Sequence, residues 1–262
     1  MAEHSTVNRV VPGSSPGAGA ENDQRKLMPG KIALVGSGEW LPVMLEVEKE
    51  LFENQKPIYV QLSTAAGLEG AKRLNHWKEL GFEQSKRLGV EQRWLPVFDA
   101  QSANNFEIVE QIKDAGVIYL SGGDPTYLSE SLRNSLVWDE IVSKWQSGVS
   151  IAGCSAGAMA FTDWVPTMKI KLNRKDQHVK GLGLLPHLRV IPHFDRMLGW
   201  IPDLLTRYLL NTPENVTLLG IDEDTALVGD GHNWKVMGRQ SVWVLTKNGR
   251  QEIKSGETLI TN

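Results

Sequence analysis

The sequence predicts a three-layer α/β/α fold with a mostly parallel central sheet and additional antiparallel strands near the C-terminus. Between residues 31 and 164, short apolar runs alternate with segments of helical periodicity, which is typical of parallel strands joined by helices on both faces of a sheet. Beyond residue 164, the apolar runs are separated mainly by Gly, Asp and Asn turns, which favours antiparallel strands.

Each expected element rests on its local pattern. Runs of Ile, Val and Leu that end at a polar or glycine-containing turn predict strands, and apolar residues spaced three or four positions apart predict helices. In the first part we expect strands at 32–35, 58–62, within 90–97, at 117–120 and at 149–152, and helices at 42–52, 69–80, 104–114, 136–146 and 156–161. In the second part we expect strands at 188–192, 218–221, 225–228, 234–237 and 242–246, and a helix at 198–210.

Composition limits the organisation of the chain and its partners. Of its 262 residues, 41% are hydrophobic, which is ample for a core. Gly, Ser, Pro, Ala and Asn dominate residues 1–28, which predicts a disordered leader, and no linker or repeat divides residues 29–262, so we expect a single domain there. A net charge of −3 with interspersed signs argues against nucleic-acid and membrane-surface binding.

The cysteine and tryptophan content and the length of the apolar runs add further expectations. One cysteine excludes an intrachain disulfide and a multi-cysteine metal site, so we expect a cytoplasmic protein without a metal. No apolar run has the length of a membrane span. The nine tryptophans favour packing in a core or an interface over a cofactor pocket, so we expect no cofactor and leave a homodimer open.

The most informative segment has the pattern Gly-x-Ser-x-Gly, with Gly153 and Gly157 on either side of Ser155. An expected buried strand precedes it and an expected helix follows it, which is the setting of a nucleophile elbow. Glycine tolerates the strained turn and the close contact between strand and helix. The N-terminus of the following helix directs free amides toward Ser155, which provides half of an oxyanion hole. The segment therefore predicts a serine hydrolase.

A serine hydroxyl needs a base to accept its proton, and the base needs a group that orients it. Among the six histidines, His193 follows the apolar run 188–192 and therefore lies at a strand end, so it is the expected base. The acidic residues 222–224 lie between two apolar runs at another strand end. We choose Glu223 as the orienting carboxylate and keep Asp222 in reserve.

The second oxyanion donor should come from another loop at a strand end. Residues 36–39 and 121–124 form two such loops, and the second contains the pair Gly122 and Gly123, whose backbone can approach a substrate closely. Gly123 is the preferred donor, although the sequence does not separate it from Gly122. Cys154 is adjacent to the serine but lacks glycines two positions before and after it, so we expect it to pack inside.

Together these residues resemble peptidase family S51, which contains dipeptidase E and cyanophycinase, within the class I glutamine-amidotransferase-like superfamily. The resemblance covers nearly all of residues 31–262 and rests on segments 120–124, 153–158, 193–194 and 220–227. It implies a flavodoxin-like fold and a triad of Ser155, His193 and Glu223, with the amides of Gly123 and Ala156 as oxyanion donors. The order Ser, His, Glu along the chain also disfavours an α/β-hydrolase esterase or lipase.

The resemblance further implies a substrate. Members of the family cleave bonds next to aspartyl groups, so we expect a small peptide or isopeptide substrate that contacts Gly122, Asp124 and Arg196, with the guanidinium binding a free carboxylate. Two departures from the family pattern leave the exact substrate open: Pro125 replaces a polar residue, and a run of arginines after the histidine is missing. The alternatives are another amide or ester hydrolase with the same triad and a binding or sensing protein without turnover.

Overall fold

The structure, a computed structural model, describes residues 28–166, 178–197 and 212–261. The expected leader, apart from Met28, and the expected helix at 198–210 lie outside the described residues. Within these three ranges, every helix is too short or too polar to span a membrane.

The described residues form strands and helices that alternate through the first part of the chain. The strands are β1 (Ile32–Val35), β2 (Ile58–Leu62), β3 (Glu91–Leu95), β4 (Val117–Leu120), β5 (Ser150–Cys154), β6 (Trp164–Pro166), β7 (His178–Lys180), β8 (Leu188–Ile191), β9 (Thr217–Ile221), β10 (Thr225–Gly229), β11 (Asn233–Gly238), β12 (Ser241–Thr246), β13 (Gly249–Lys254) and β14 (Thr258–Ile260). The helices are α1 (Leu45–Phe52), α2 (Ala71–Leu88), α3 (Phe106–Ile112), α4 (Pro125–Leu132), α5 (Leu136–Gln146), α6 (Ala156–Ala160) and α7 (Phe194–Met197).

The main sheet has eight strands in the order β14-β11-β10-β1-β5-β4-β2-β3. The five strands from β1 to β3 in this order pair in parallel, and β10, β11 and β14 add antiparallel strands at one edge. A layer of apolar side chains covers each face, because alternate residues of every central strand point to opposite sides. These observations confirm the predicted fold class. The carboxyl ends of β1, β5 and β4 are neighbours, which is where ligands collect in such sheets.

The C-terminal strands divide between two sheets, which the sequence pattern did not predict. A second sheet has the order β13-β12-β9-β8, and its strands β8 and β9 pair in parallel. Consecutive strands β9 and β10 belong to different sheets, so the chain crosses from one sheet to the other at residues 222–224. This crossing brings the acidic turn to the carboxyl edge of the main sheet, where Gly36 and Gly38 pack against it.

The helices differ from expectation at two places, one with a wrong end and one that was missed. Helix α2 continues eight residues past the expected end, through Gly81, to the left-handed Gly89. Gly81 is retained inside the helix because a Cβ atom there would lie 2.1 Å from the side chain of Gln61 in β2. Helix α4 was not predicted, although Asp124 caps its N-terminus and Pro125 occupies its first turn, both of which are start signals.

Candidate active site

Ser155 lies in a sharp turn between β5 and α6, as the sequence predicts. Its backbone has φ 49° and ψ −104°, a strained conformation for a residue with a side chain. The flanking glycines allow this turn, because a Cβ on Gly153 would lie 2.5 Å from the backbone of Gly157, and a Cβ on Gly157 would lie 2.5 Å from the Leu120 carbonyl oxygen. The turn leaves Ser155 half-buried at the carboxyl edge of the main sheet.

His193 reaches the serine from the second sheet. It follows β8 and precedes α7, and its φ of 51° turns the chain sharply at this position. The imidazole Nε2 lies 3.0 Å from the hydroxyl oxygen of Ser155. The His193 side chain keeps 39% of its surface exposed, so it borders an open site.

Glu223 contacts the other imidazole nitrogen. Its Oε1 atom lies 3.0 Å from Nδ1 of His193. A carboxylate can only accept a hydrogen bond, so Nδ1 carries the proton and Nε2 is left as the acceptor for the serine hydroxyl. The three side chains thus form a continuous chain of hydrogen bonds that is suited to removing the proton of Ser155.

The segment after His193 holds Glu223 in place. Asp195 accepts a hydrogen bond from the backbone N–H of Glu223 at 2.9 Å, and Arg196 Nε donates to Glu223 Oε2 at 3.1 Å. Gln240 donates to the Glu223 carbonyl oxygen at 3.0 Å and to Asp195 at 3.3 Å. Sequence reasoning missed Asp195 and Gln240, because their roles depend on contacts between distant parts of the chain.

Asp222 is adjacent to Glu223 but points away from the histidine. The indole N–H of Trp243 donates to both of its oxygens at 3.0 Å, and the backbone N–H of Ser241 donates at 3.2 Å. Burial raises the pKa of its carboxyl, against the effect of these hydrogen bonds. The structure therefore assigns Asp222 to the junction of the two sheets, and Glu223 is the acidic residue that contacts His193.

The loop after β4 presents one free amide beside the serine. Ser121 N–H donates to the Leu62 carbonyl at 3.0 Å, Gly122 N–H to the Glu39 carboxylate at 2.8 Å, and Asp124 N–H to the Ala65 carbonyl at 2.9 Å. In the part of the chain that the structure describes, the intervening Gly123 N–H has no protein acceptor.

The geometry at Gly123 allows no other residue. Its φ is 139°, and a Cβ atom there would lie 2.5 Å from the Ala65 backbone. Gly123 is exposed whereas Gly122 is buried, so the free amide belongs to an accessible residue. The N–H of Ala156, the first residue of α6, likewise lacks a protein acceptor among residues 28–166, 178–197 and 212–261. The two amides have the character of oxyanion donors.

The other residues expected at the site have visible contacts of their own. The Asp124 carboxylate accepts hydrogen bonds from the backbone of Thr126 and Tyr127 and so caps α4. The Arg196 side chain is 75% exposed and is anchored through Nε to Glu223, which leaves its terminal nitrogens facing outward.

Cys154 is fully buried and donates a hydrogen bond from Sγ to Glu39 Oε2 at 2.9 Å. Burial and the neighbouring Glu39 carboxylate raise the pKa of the thiol well above its usual value. A thiol that is buried and protonated is a poor nucleophile. Among the described residues, no group of three or more His, Cys, Asp or Glu side chains is arranged to hold a metal ion.

A parallel sheet whose carboxyl edge presents a strained serine, hydrogen-bonded to a histidine, defines an α/β hydrolytic enzyme. The family model of peptidase family S51 matches residues 40–237, so the chain belongs to that family and is a serine-type peptidase.

Solved structures agree with this assignment. A peptidase from an acI-B1 Actinobacterium is 43% identical, with a TM-score of 0.82 over 90% of this chain and 98% of that chain. A protein from Listeria monocytogenes EGD-e, described as a candidate peptidase E, is 16% identical, with a TM-score of 0.53 over 86% of this chain and 98% of that chain, which shows a shared fold. The comparison with curated proteins gave no match.

Proposed function

We propose that this peptidase hydrolyses small aspartyl or isoaspartyl peptides through an acyl-enzyme, with Ser155 as nucleophile, His193 as general base and acid, and Glu223 as the group that orients the imidazole. The observation that carries the proposal is the chain of two 3.0 Å hydrogen bonds that joins the three side chains at the carboxyl edge of the sheet.

In the acylation step, Oγ of Ser155 attacks the scissile carbonyl carbon while its proton moves to Nε2 of His193. The carbonyl oxygen becomes an oxyanion, which accepts hydrogen bonds from the N–H groups of Gly123 and Ala156. When the tetrahedral intermediate collapses, the bond from carbon to nitrogen breaks and His193 gives its proton to the leaving amine. The acyl group is then bound to Ser155 as an ester.

In the deacylation step, a water molecule takes the place of the amine. His193 removes a proton from this water, the resulting hydroxide attacks the ester carbonyl, and the same two amides accept hydrogen bonds from the second oxyanion. Collapse of this intermediate breaks the bond to Ser155 Oγ, which regains a proton from His193. Glu223 stabilises the imidazolium that forms in both steps, and it keeps the proton on Nδ1 between them.

The preference for an aspartyl group rests on Arg196 and on family membership. The guanidinium is anchored through Nε, and its exposed terminal nitrogens match the geometry of a carboxylate. A substrate carboxylate bound there would lie beside Glu223, so the positive charge of Arg196 would be shared between two carboxylates. Because Arg196 has a single positive charge and Glu223 already uses part of it, the arrangement supports recognition of one free carboxylate close to the scissile bond, and not of several.

Labelling by a fluorophosphonate probe tests the nucleophile. Wild-type protein should form one covalent adduct at Ser155, and Ser155→Ala should form none. Ser147→Ala is the matched control, because Ser147 is an exposed serine whose hydroxyl donates to the Ser143 carbonyl, so this variant should label like wild type. An unlabelled wild-type protein, or an adduct on another residue, would contradict the assignment.

Substrate class is tested separately with a panel of Asp-X dipeptides, β-Asp-Arg and cyanophycin polymer, with Ser155→Ala as the blank. Cleavage of at least one aspartyl substrate by wild type is expected, and Arg196→Gln should raise KM for that substrate. If a labelled wild-type protein cleaves none of them, the aspartyl preference is wrong while the hydrolase mechanism stands.

A further inference from the structure

A buried carboxylate joins three neighbouring strand ends beneath the proposed oxyanion hole. Glu39 follows β1, and only 7% of its surface is exposed. Its Oε1 accepts from the N–H of Gly122, after β4, at 2.8 Å, and its Oε2 accepts from the Cys154 thiol, at the end of β5, at 2.9 Å. Strands β1, β5 and β4 are consecutive in the main sheet, so this one side chain spans all three.

Both oxygens of Glu39 are used, which offsets the cost of burying a carboxylate. The raised pKa of Cys154 keeps its thiol protonated, so the sulfur acts as the donor and not as a competing anion. Sequence reasoning singled out the loop 36–39 but assigned no role to Glu39. A glutamate in a glycine-containing loop is usually solvated, and only the fold places this one under the serine.

The Glu39 contact determines how the neighbouring peptide is oriented. The N–H of Gly122 points at Glu39, and its carbonyl oxygen accepts from the Ser121 hydroxyl at 3.3 Å. In a trans peptide the next N–H, that of Gly123, points opposite to that carbonyl. Gly122 is also confined, because a Cβ there would lie 2.8 Å from Glu39 Oε1 and 3.4 Å from Ser155 Cβ. The Gly123 amide is therefore aimed by the contacts that its predecessor makes.

We propose that Glu39 is a positioning residue that orients the Gly122–Gly123 peptide so that the Gly123 N–H points into the oxyanion hole. The inference rests on the proposed function, since it assumes that Ser155 is the nucleophile. Glu39 does not touch the substrate. It acts through a backbone hydrogen bond, and its value for catalysis is the pre-organisation of a donor that would otherwise rotate toward solvent.

The test uses the rate of phosphonylation by a fluorophosphonate probe, because the phosphoryl oxygen occupies the oxyanion hole and no peptide substrate is needed. The limiting rate constant kinact and the probe concentration at half-maximal rate, KI, are measured for wild type, Glu39→Gln, Glu39→Asp and Glu39→Ala. Glutamine keeps an acceptor for the Gly122 N–H at the same reach. Aspartate keeps the charge but is one methylene too short to reach both partners.

Glu39→Ala is expected to lower kinact about 10²-fold, and Glu39→Asp at least about 10-fold, with KI little changed, because the loss falls on the transition state. Glu39→Gln should stay within about 3-fold of wild type, because it retains the hydrogen bond to the Gly122 N–H. Glu48→Ala is the matched control, since it makes the same substitution at another buried glutamate, whose side chain does not contact the loop after β4. This control should reduce stability and leave kinact unchanged.

The outcomes separate the two proposals. If wild type labels at Ser155 and both Glu39→Ala and Glu39→Asp keep the wild-type kinact, the role of Glu39 is refuted and the triad stands. Equal loss in Glu39→Gln and Glu39→Ala would also refute positioning by this hydrogen bond. If wild type does not label at Ser155, both proposals fall. Should Glu39→Ala not fold, the comparison of aspartate with glutamine decides the question alone.

Discussion

The hydrogen bond between Glu223 and His193 gives the sharpest test of the proposed triad. Glu223→Gln preserves the size of the side chain and removes its charge, so the imidazolium that forms during catalysis loses its counter-ion. The amide also presents a donor that can face Nδ1, which favours the imidazole tautomer with the proton on Nε2. In that tautomer Nε2 cannot accept the proton of Ser155. The loss should therefore fall on kcat.

The size of the effect follows from the 3.0 Å separation of Oε1 and Nδ1. A unit charge pair at this distance interacts with about 1.4 kcal/mol in a water-like dielectric and about 5.5 kcal/mol at an effective dielectric of about 20. Glu223 and His193 are 28% and 39% exposed, and Arg196 shares the carboxylate, so the value lies between these limits. At about 1.4 kcal/mol per factor of ten, we expect kcat to fall about 10²- to 10³-fold.

Asp222→Asn is the matched control, because it makes the same chemical change one residue away. The Asp222 carboxylate accepts from Trp243 and Ser241 and does not contact His193, so this variant should lose stability and keep kcat within about 2-fold. The assay is turnover of whichever aspartyl peptide wild type cleaves, supported by the phosphonylation rate. If Glu223→Gln keeps kcat within about 3-fold, or if Asp222→Asn suffers the larger loss, the assignment of Glu223 is wrong.

Two further predictions concern stability. Burial raises the pKa of Glu48 from 4.5 to about 8. Between these pH values the folded protein holds a proton that the unfolded chain has released, so the free energy of unfolding falls as pH rises. Glu48→Gln removes this titration and should be more stable than wild type at pH 9 by up to about 5 kcal/mol, with little difference at pH 4. Urea unfolding of both proteins across this pH range measures the difference, and parallel pH profiles would refute the prediction. Ser155→Gly should relieve the strained backbone and melt a few degrees above Ser155→Ala, which keeps the strain. Neither variant should label with the probe. A Gly variant that melts at or below the Ala variant would contradict the claim that the backbone at residue 155 is strained.

The sequence predicted those parts of the molecule that are encoded by neighbouring residues. Strands such as β1 and β4 are short apolar runs between turns, and helix α5 begins at a serine cap and occupies the expected residues. The elbow around Ser155 is equally local, because the strand, the two glycines and the helix follow one another directly. The fold class and the family membership followed from these local signals, and both are confirmed.

What the sequence could not predict depends on pairing between distant segments. Nothing in the pattern of β9 and β10 says that they join different sheets, because both are apolar runs of five residues. The contact between Glu39 and Gly122 joins residues that are 83 positions apart. Glu39 was overlooked for the same reason that Asp195 was. Each side chain accepts a hydrogen bond from a backbone N–H of a distant residue, and the sequence does not show which backbone groups lie near a given side chain.

The choice between Asp222 and Glu223 shows how the sheet crossing decides a question that the sequence left open. Asp222 is the first residue after β9 and turns toward the second sheet, where Trp243 of β12 donates to its carboxylate. Glu223 lies in the turn that follows, and its carboxylate contacts His193, the residue that follows β8 and Pro192. Asp224 follows with a φ of 53°, and its carboxylate pairs with the Arg239 guanidinium at 3.3 Å. Three consecutive acids thus have three different partners, because the chain changes sheets between the first and the third.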